Sequence, residues 1–319
     1  KFPKTDVKRS GFFINDEITM LNGKLTVTPG ARFDQYEMTA NGALKEDGSA
    51  YKDFDESNVS LNIGALYKFS DTIAGFAQYG QGFKVPAYDL AYINHDNSLY
   101  GYKIVPSDDL SPEESDTFEI GVRGHTGDLF FSGAIYYSEY DNFLSTELVD
   151  IETSINPWTG QPADVLVYQY RNIDAVTIKG IEAAVRYHIN DEVAVYANAA
   201  YNEGEDDTTG DYLTTLTPLS GVIGVTYSLD NLTADVVVNW ADDMKKANEG
   251  EFKAAGYGTV DAMVSYEVND QWMFNVAVNN LFDKEYVKQI DLNGHATGQD
   301  LSGFTESGRT IAANVSFQF

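Results

Sequence analysis

Apolar residues occupy every second position through most of this chain. Between residues 61 and 69 they are Leu61, Ile63, Ala65, Tyr67 and Phe69, with polar or small residues between them. The same period of two recurs at 118–122, 181–189, 193–201, 232–240 and 260–268, and again from 311 to 319. A period of two is typical of β-strands with one apolar and one polar face. No helical period extends convincingly beyond two turns, so the sequence predicts an all-β fold.

The connections between these strands are of two alternating kinds. Short turn sequences lie at 22–23, 70–71, 126–128, 190–191, 229–231 and 269–270 and are rich in Asn, Asp and Gly. Longer segments lie at about 40–56, 84–112, 147–164, 203–214, 242–256 and 283–308. Short turns at one end and long loops at the other are typical of a bacterial outer-membrane β-barrel with periplasmic turns and extracellular loops. A soluble β-sandwich is the alternative.

Thirteen strands are predicted from this pattern. They cover 5–21, 23–39, 57–69, 72–83, 113–125, 129–146, 165–189, 192–202, 215–228, 231–241, 257–268, 271–280 and 308–319, with a bulge expected near Gly180. A closed single-chain bacterial barrel has an even number of strands. We therefore interpret residues 1–319 as the C-terminal part of a larger barrel.

The period of two also assigns the two faces of the sheet. Side chains predicted to contact lipid are Ile120, Val122, Val236, Val264, Val315 and Phe317. Side chains predicted to face the lumen are Glu119, Arg123, Asp235, Asp261 and Glu267.

Composition excludes several classes of function. Asp and Glu number 49 against 21 Lys and Arg, a formal net charge of −28, so we expect no nucleic-acid partner. The absence of cysteine excludes a thiol nucleophile, a cysteine zinc site and a disulfide framework. No G-x-S-x-G or P-loop motif is present, so the sequence does not predict an enzyme or a catalytic cofactor. A non-transporting adhesin or enzyme barrel is the alternative of another class.

Three stretches resemble the TonB-dependent outer-membrane receptors. They are RSGFFINDEITMLNGKLTVTPGARFDQYE at 9–37, VNNLFDKEY at 278–286, and SGRTIAANVSFQF at 307–319. The terminal Phe319 also resembles the C-terminal signal by which outer-membrane proteins are recognised for insertion. The resemblance implies a 22-stranded barrel, of which the first strand here would be the tenth. It also implies a plug domain and TonB box upstream of this sequence, contact with a TonB complex through that plug, and active import across the outer membrane.

Two further segments resemble the paired boxes of haem and haemoglobin receptors. The first is Phe83, Lys84, Val85 and Pro86; the second is degenerate and keeps Leu110 and Pro112. The resemblance implies that haem, or a haemoprotein that supplies it, is the transported ligand. A ferric siderophore or another metal chelate is the alternative, because related siderophore receptors carry similar sequences.

Haem receptors of this family hold iron with a histidine between the two boxes, and His95 is the histidine found there. A neutral imidazole can ligate haem iron, and aromatic rings can stack on a porphyrin. His95 is therefore the candidate ligand, and no other metal ligand is proposed. The neighbouring candidates are Tyr88, Tyr92, Tyr100 and Tyr102, with His295 in another long loop as a secondary candidate. A loop histidine without function is the alternative. His125 and His188 adjoin short turns, so we expect structural roles for them at the periplasmic end.

Overall fold

The computed structural model describes residues 3–42, 44–45, 48–156, 158, 160–292 and 301–318. These residues form sixteen strands in one sheet, and one short α-helix, α1, at Tyr88–Ala91. The strands are β1 Asp6–Asn15, β2 Ile18–Met20, β3 Leu25–Thr39, β4 Phe54–Lys68, β5 Ile73–Lys84, β6 His95–Asn97, β7 Tyr102–Val105, β8 Glu113–Thr126, β9 Leu129–Ile155, β10 Pro162–His188, β11 Val193–Asp206, β12 Ser220–Leu229, β13 Leu232–Ala241, β14 Tyr257–Asn269, β15 Trp272–Asn279 and β16 Thr310–Phe317. Short 3-10 turns occur at Leu21–Gly23, Ser98–Tyr100, Gln289–Leu292 and Ser302–Phe304. No helix in this part of the chain is long and apolar enough to span a membrane.

The main path through the sheet is an antiparallel meander. It runs β1, β3, β4, β5 and then β8 to β16 in order, while β2, β6 and β7 lie beside it. These thirteen path strands correspond to the thirteen predicted from the sequence. β1 and β16 lie at the two edges of the path, so the sheet is part of a barrel and is not closed on itself. The prediction that these are the last thirteen of twenty-two strands stays a prediction, and Phe319 lies outside the described residues.

Polar residues at the starts of the short turns explain why those turns are tight. Ser70 Oγ accepts hydrogen bonds from the amides of Thr72 and Ile73, at 3.3 and 3.1 Å. Asn190 Oδ1 and Asn269 Oδ1 accept equivalent pairs of amide hydrogen bonds at their own turns. Such side chains replace the backbone partners that a reversing chain loses. The six turns that the sequence predicts as short lie at one end of the sheet, as the alternation predicted.

The register confirms the two faces. Ile120, Val122, Val236, Val264, Val315 and Phe317 all lie on one face and are exposed. The opposite face carries cross-strand polar pairs: Thr226 Oγ1 donates to Asp235 at 2.6 Å, and Asn239 Nδ2 donates to Asp261 at 2.7 Å. One face of the sheet is therefore apolar and exposed, and the other is polar, with side chains that hydrogen-bond to each other across strands. This is the arrangement of a membrane-spanning barrel sheet.

Aromatic side chains gather at both borders of the apolar face. Near the turn end, the Trp272 ring lies 4.6 Å from the Phe317 ring, centroid to centroid. Towards the loop end, Tyr79 and Phe118 lie 4.8 Å apart. Aromatic girdles of this kind mark the two membrane–water interfaces of outer-membrane barrels.

Two predicted details of the longest hairpin are wrong. β9 and β10 continue to Ile155 and Pro162, so most of the segment 147–164 is strand and its connection is short. The register shift lies between Val167 and Tyr168, far from Gly180, whose pairing with both neighbours is regular. A Cβ at Gly180 would meet the Tyr136 ring at 2.4 Å. The glycine therefore provides room for an aromatic ring and does not mark a bulge.

The two faces should respond differently to the same charge. We expect Val236→Arg, on the lipid face, to lower the free energy of unfolding by about 2–4 kcal/mol, because hydrocarbon solvates a guanidinium poorly. Val237→Arg, one residue along on the lumen face, is the matched control and should cost much less. Denaturant unfolding of the receptor in lipid bilayers measures both. Equal losses would contradict the assignment of the faces.

Candidate functional site

The candidate site is the long connection from β5 to β8, residues 85–112, which we call the crossing loop. It leaves β5, forms α1, and then adds β6 and β7 to the far side of β10. β7 pairs in parallel with β10, with Tyr102 opposite Leu166 and Ile104 opposite Tyr168. Because β10 is separated from β5 by β8 and β9, the loop passes across the outer end of these strands before it returns to β8.

A buried cluster anchors the first half of the crossing loop. Tyr92 is 1% exposed and packs edge-on against Tyr51, at 5.2 Å between ring centroids, and against Phe54 at 6.1 Å. Its hydroxyl donates to the backbone carbonyl of Lys52 at 2.6 Å. The other buried members of this inner cluster are Tyr36, Met38, Ala40, Val85, Ala91 and Leu110. Tyr36 and Met38 belong to the lumen-facing side of β3, so the cluster lies at the inner face of the barrel mouth.

An ion pair adds a second anchor. The Lys45 ammonium contacts the Asp108 carboxylate, and the Lys45 side chain is mostly buried. Lys45 also lies over the Tyr51 ring at 5.9 Å from its centroid. Together with the Tyr92 hydroxyl, these contacts tie the crossing loop to the connection between β3 and β4.

The two boxes form the base of the loop. Lys84 ends β5 and Glu113 begins β8; the two are paired in register, and their side chains form an ion pair at 3.6 Å. Glu113 Oε2 also accepts the amide of Leu144 at 3.1 Å. Leu110 belongs to the inner cluster and Phe83 packs against it. Pro86 is fully buried and Pro112 is partly buried. The box residues therefore fix where the loop begins and ends.

His95 lies beyond these anchors. It opens β6, the outermost strand added to β10, and its side chain is exposed. Its ring lies 5.9 Å from the Tyr102 ring. The next residue, Asp96, accepts hydrogen bonds from the Ser98 hydroxyl and amide at 2.5 and 2.9 Å, and these bonds lower the pKa of its carboxyl. The turn that follows His95 is thereby fixed.

The four candidate tyrosines differ in how close they lie to His95. Tyr102 contacts it, whereas Tyr92 is buried in the inner cluster and points to Lys52. Tyr100 is 73% exposed and lies edge-on to Trp158, at 6.0 Å between centroids. Tyr88 begins α1 and is partly exposed. His295 lies outside the described residues.

The remaining two histidines lie where the sequence predicted. His125 stacks on Phe130 at 5.4 Å, and His188 contacts the same ring edge-on at 5.9 Å. Both lie at the end of the sheet that carries the short turns, at the opposite end from His95. Packing on Phe130 is a structural role.

Sequence reasoning missed the strand pairing that holds His95 in place. The sequence predicts a loop over 147–164, so it does not anticipate that β9 continues beside this part of β10 as far as Ile155. The signal is present in β9, where Ile151 and Ile155 lie at an even spacing with Glu152 and Ser154 between them. The short strands β6 and β7 carry no comparable signal, because three or four residues are too few to show a period.

Comparison with known proteins identifies one family. Residues 1–281 match the family model described as TonB dependent receptor-like, beta-barrel. A hemin receptor of Yersinia enterocolitica is 24% identical over 89% of this chain and 43% of its own length. The ferripyoverdine receptor of Pseudomonas aeruginosa is 26% identical over 82% of this chain and 30% of its own. The chain thus spans less than half the length of these relatives.

A solved structure shows the same fold. The copper transporter OprC superposes with a TM-score of 0.80 at 18% identity, over 99% of this chain and 48% of that chain. At that identity the likeness concerns the fold alone.

The Tyr92 anchor should titrate at high pH. Burial, and after it the nearby Asp53 carboxylate, raises the pKa of the Tyr92 phenol to about 12. Because the folded pKa lies above the ordinary value of about 10, the anchor contributes fully below pH 10 and is lost as the pH rises through about 12. In a pH titration we expect phenolate absorbance to rise in a late step near pH 12, and we expect Tyr92→Phe to remove that step.

The exposed Tyr100 is the control for that titration. Tyr100→Phe should leave the late step in place, because Tyr100 takes no part in the inner cluster. Tyr92→Phe should also lower the free energy of unfolding by about 1–3 kcal/mol, since it leaves the Lys52 carbonyl without its donor. A late step of undiminished amplitude in Tyr92→Phe would contradict the raised pKa of Tyr92, because the step would then belong to another tyrosine.

Proposed function

The chain belongs to the TonB-dependent receptor-like β-barrel family, and on that premise we propose that it is part of an outer-membrane receptor that imports haem, with His95 as a ligand of the haem iron. Members of this family are outer-membrane proteins, and the relatives of this chain include a hemin receptor and a ferripyoverdine receptor. The observation that carries the proposal is the placement of His95, which is exposed, lies at the loop end of the sheet, and is held on a strand instead of in a free loop.

Anchoring matters because a metal ligand that is already positioned loses little conformational entropy when it binds. Ala91 and Tyr92, buried in the inner cluster, fix the crossing loop just before His95. The pairing of β7 with β10 and the Lys45–Asp108 ion pair fix it after His95. The imidazole supplies a nitrogen donor suited to haem iron, and the hemin receptor of Yersinia enterocolitica among the relatives supports haem as the ligand.

The transport cycle that we propose involves no chemical change of the ligand. Haem, free or released from a haemoprotein, binds at the loop end of the barrel and passes through the lumen to the periplasm. Energy comes from a TonB complex that acts on a plug domain in the complete receptor. The barrel's own part in this cycle is to hold the ligand at the mouth and to line the path with polar side chains such as Glu119 and Asp235.

A ferric siderophore is the second candidate ligand. The ferripyoverdine receptor matches this chain at slightly higher identity than the hemin receptor does, although the match covers less of this chain. Siderophores bring their own iron ligands, so a histidine from the protein would not be needed. The dependence of binding on His95 therefore distinguishes the two.

The test is His95→Ala in the complete receptor. We expect haem affinity to fall at least about tenfold, because losing even an outer-shell partner of a metal ligand costs about 10–100-fold. The absorption spectrum of bound haem should change as well, because an axial ligand is lost. Haem titration and spectroscopy of the purified receptor measure both effects.

His125→Ala and His188→Ala are the controls, since both residues pack on Phe130 at the far end of the sheet. Neither should change the haem spectrum or the haem affinity. If His95→Ala binds haem like the unmodified receptor, with the same spectrum, the haem proposal is wrong. A ferric chelate would then be the better candidate.

A further inference from the structure

A small four-stranded sheet stands outside the membrane-spanning part of the barrel. It consists of β9 from 145 to 155, β10 from 162 to 169, β7 and β6, and we call it the outer sheet. In register, Leu166 lies between Ile151 and Tyr102, and Tyr168 lies between Leu148 and Ile104. His95 is the partner of Ile104. Residues paired in register share a face of the sheet, so His95 lies at the edge of a face made of apolar and aromatic side chains.

That face looks towards the barrel mouth. Tyr170 packs against the inner cluster, which lies on the lumen side. Tyr168 and Leu166 follow Tyr170 at intervals of two along the same unbroken strand, so they lie on the same side of it. The apolar face of the outer sheet is therefore a continuation of the lumen-facing side of β10.

A bulge in β9 keeps this face apolar. Val167 pairs with Asp150, whereas Tyr168 pairs with Leu148, so Val149 is an extra residue in β9. If the pairing instead continued regularly from Tyr168 and Leu148, Val149 would pair with Val167, Asp150 would stand opposite Leu166, and its carboxylate would lie among the apolar side chains. With the extra residue, Leu148 and Ile151 both lie on the apolar face.

Most charged residues of the outer sheet lie on its other face, whereas Asp164 lies on the same face as Leu166, one step nearer the tip of the hairpin. Asp150 pairs with Val167, which is also the partner of Lys103, and Lys103 forms an ion pair with Glu152 at 2.6 Å. The apolar face remains open: Leu148, Ile151 and Ile155 are 48%, 56% and 61% exposed. Four strands span about 14 Å, since neighbouring strands lie about 4.8 Å apart. The face is thus broad and largely apolar, with Asp164 towards its tip and an imidazole at one edge.

From this arrangement we propose that the apolar face of the outer sheet is the surface on which the porphyrin ring of the ligand lies. The inference rests on the proposed function and deepens it. A metalloporphyrin fits the chemistry of the face on two counts, because its ring is flat and apolar and its metal accepts a nitrogen donor. An iron chelate held entirely by polar groups would gain nothing from Leu148 and Ile151.

Metal-free protoporphyrin tests the face separately from the iron ligand. It has the same ring as haem but no iron, so its binding should depend on the face and should be unaffected by His95→Ala. In the complete receptor we expect Ile151→Asp, and independently Leu148→Asp, to weaken the binding of both haem and metal-free protoporphyrin at least tenfold. Fluorescence quenching on titration measures the latter.

The matched control is Ser154→Asp. Ser154 is exposed on the same hairpin but on the opposite face, where it pairs with Ala163. The substitution introduces the same charge close to Ile151, and it should leave the affinities for haem and for metal-free protoporphyrin unchanged. Because all three positions lie outside the membrane, the barrel of each variant should keep the resistance to unfolding of the unmodified receptor.

The outcomes separate the two proposals. If Ile151→Asp and Leu148→Asp bind both ligands like the unmodified receptor while His95→Ala loses haem, the porphyrin lies elsewhere and the inference is overturned, but the proposed function stands. If Ser154→Asp weakens binding as much as Ile151→Asp, the effect is one of charge and the inference is also overturned. If the unmodified receptor binds neither haem nor protoporphyrin, both proposals fail.

Discussion

The backbone of this protein must satisfy its own hydrogen bonds wherever it crosses hydrocarbon, because no water is present there to do so. The continuous ladder from β1 to β16 meets that requirement strand by strand. Its consequence for the side chains is the strict alternation of a lipid face and a lumen face. Its consequence for the edges is that β1 and β16 must be paired within the membrane, with each other or with further strands, since an open edge would leave backbone groups unsatisfied.

Outside the membrane the requirement relaxes, and the loop end of the sheet is built differently. There the crossing loop is held by side chains: the Tyr92 hydroxyl on Lys52, the Lys45–Asp108 ion pair, and the buried Pro86 and Leu110. β9 and β10 rise above their neighbours and offer a free strand edge, which β7 occupies in parallel. The result is the outer sheet, an extension of the same sixteen-stranded sheet whose apolar face is not turned to lipid. In the proposed receptor this face would bind the ligand, while the apolar face of the spanning strands contacts lipid.

The barrel itself does not select a ligand. Relatives described as a hemin receptor and a ferripyoverdine receptor match the sequence of this chain, and a copper transporter shares its fold. Function in such a fold belongs to the site that the loops add. Here that site would combine one nitrogen donor, His95, with a largely apolar surface from which the bulge at Val149 keeps the Asp150 carboxylate.

The period of two predicts the thirteen path strands and their faces, because it is a local property that each strand displays alone. Together with the turn residues it also places His125 and His188 at the turn end and His95 at the loop end. The sequence does not distinguish Tyr92, which is an anchor, from Tyr102, which is a neighbour of His95, because both are tyrosines of the same long loop and differ only in tertiary packing. Tertiary pairing also makes the segment 147–164 mostly strand, with its bulge at Val149 instead of Gly180. Pairing between β7 and β10 joins residues more than sixty positions apart, and no local pattern of residues encodes a contact of that kind.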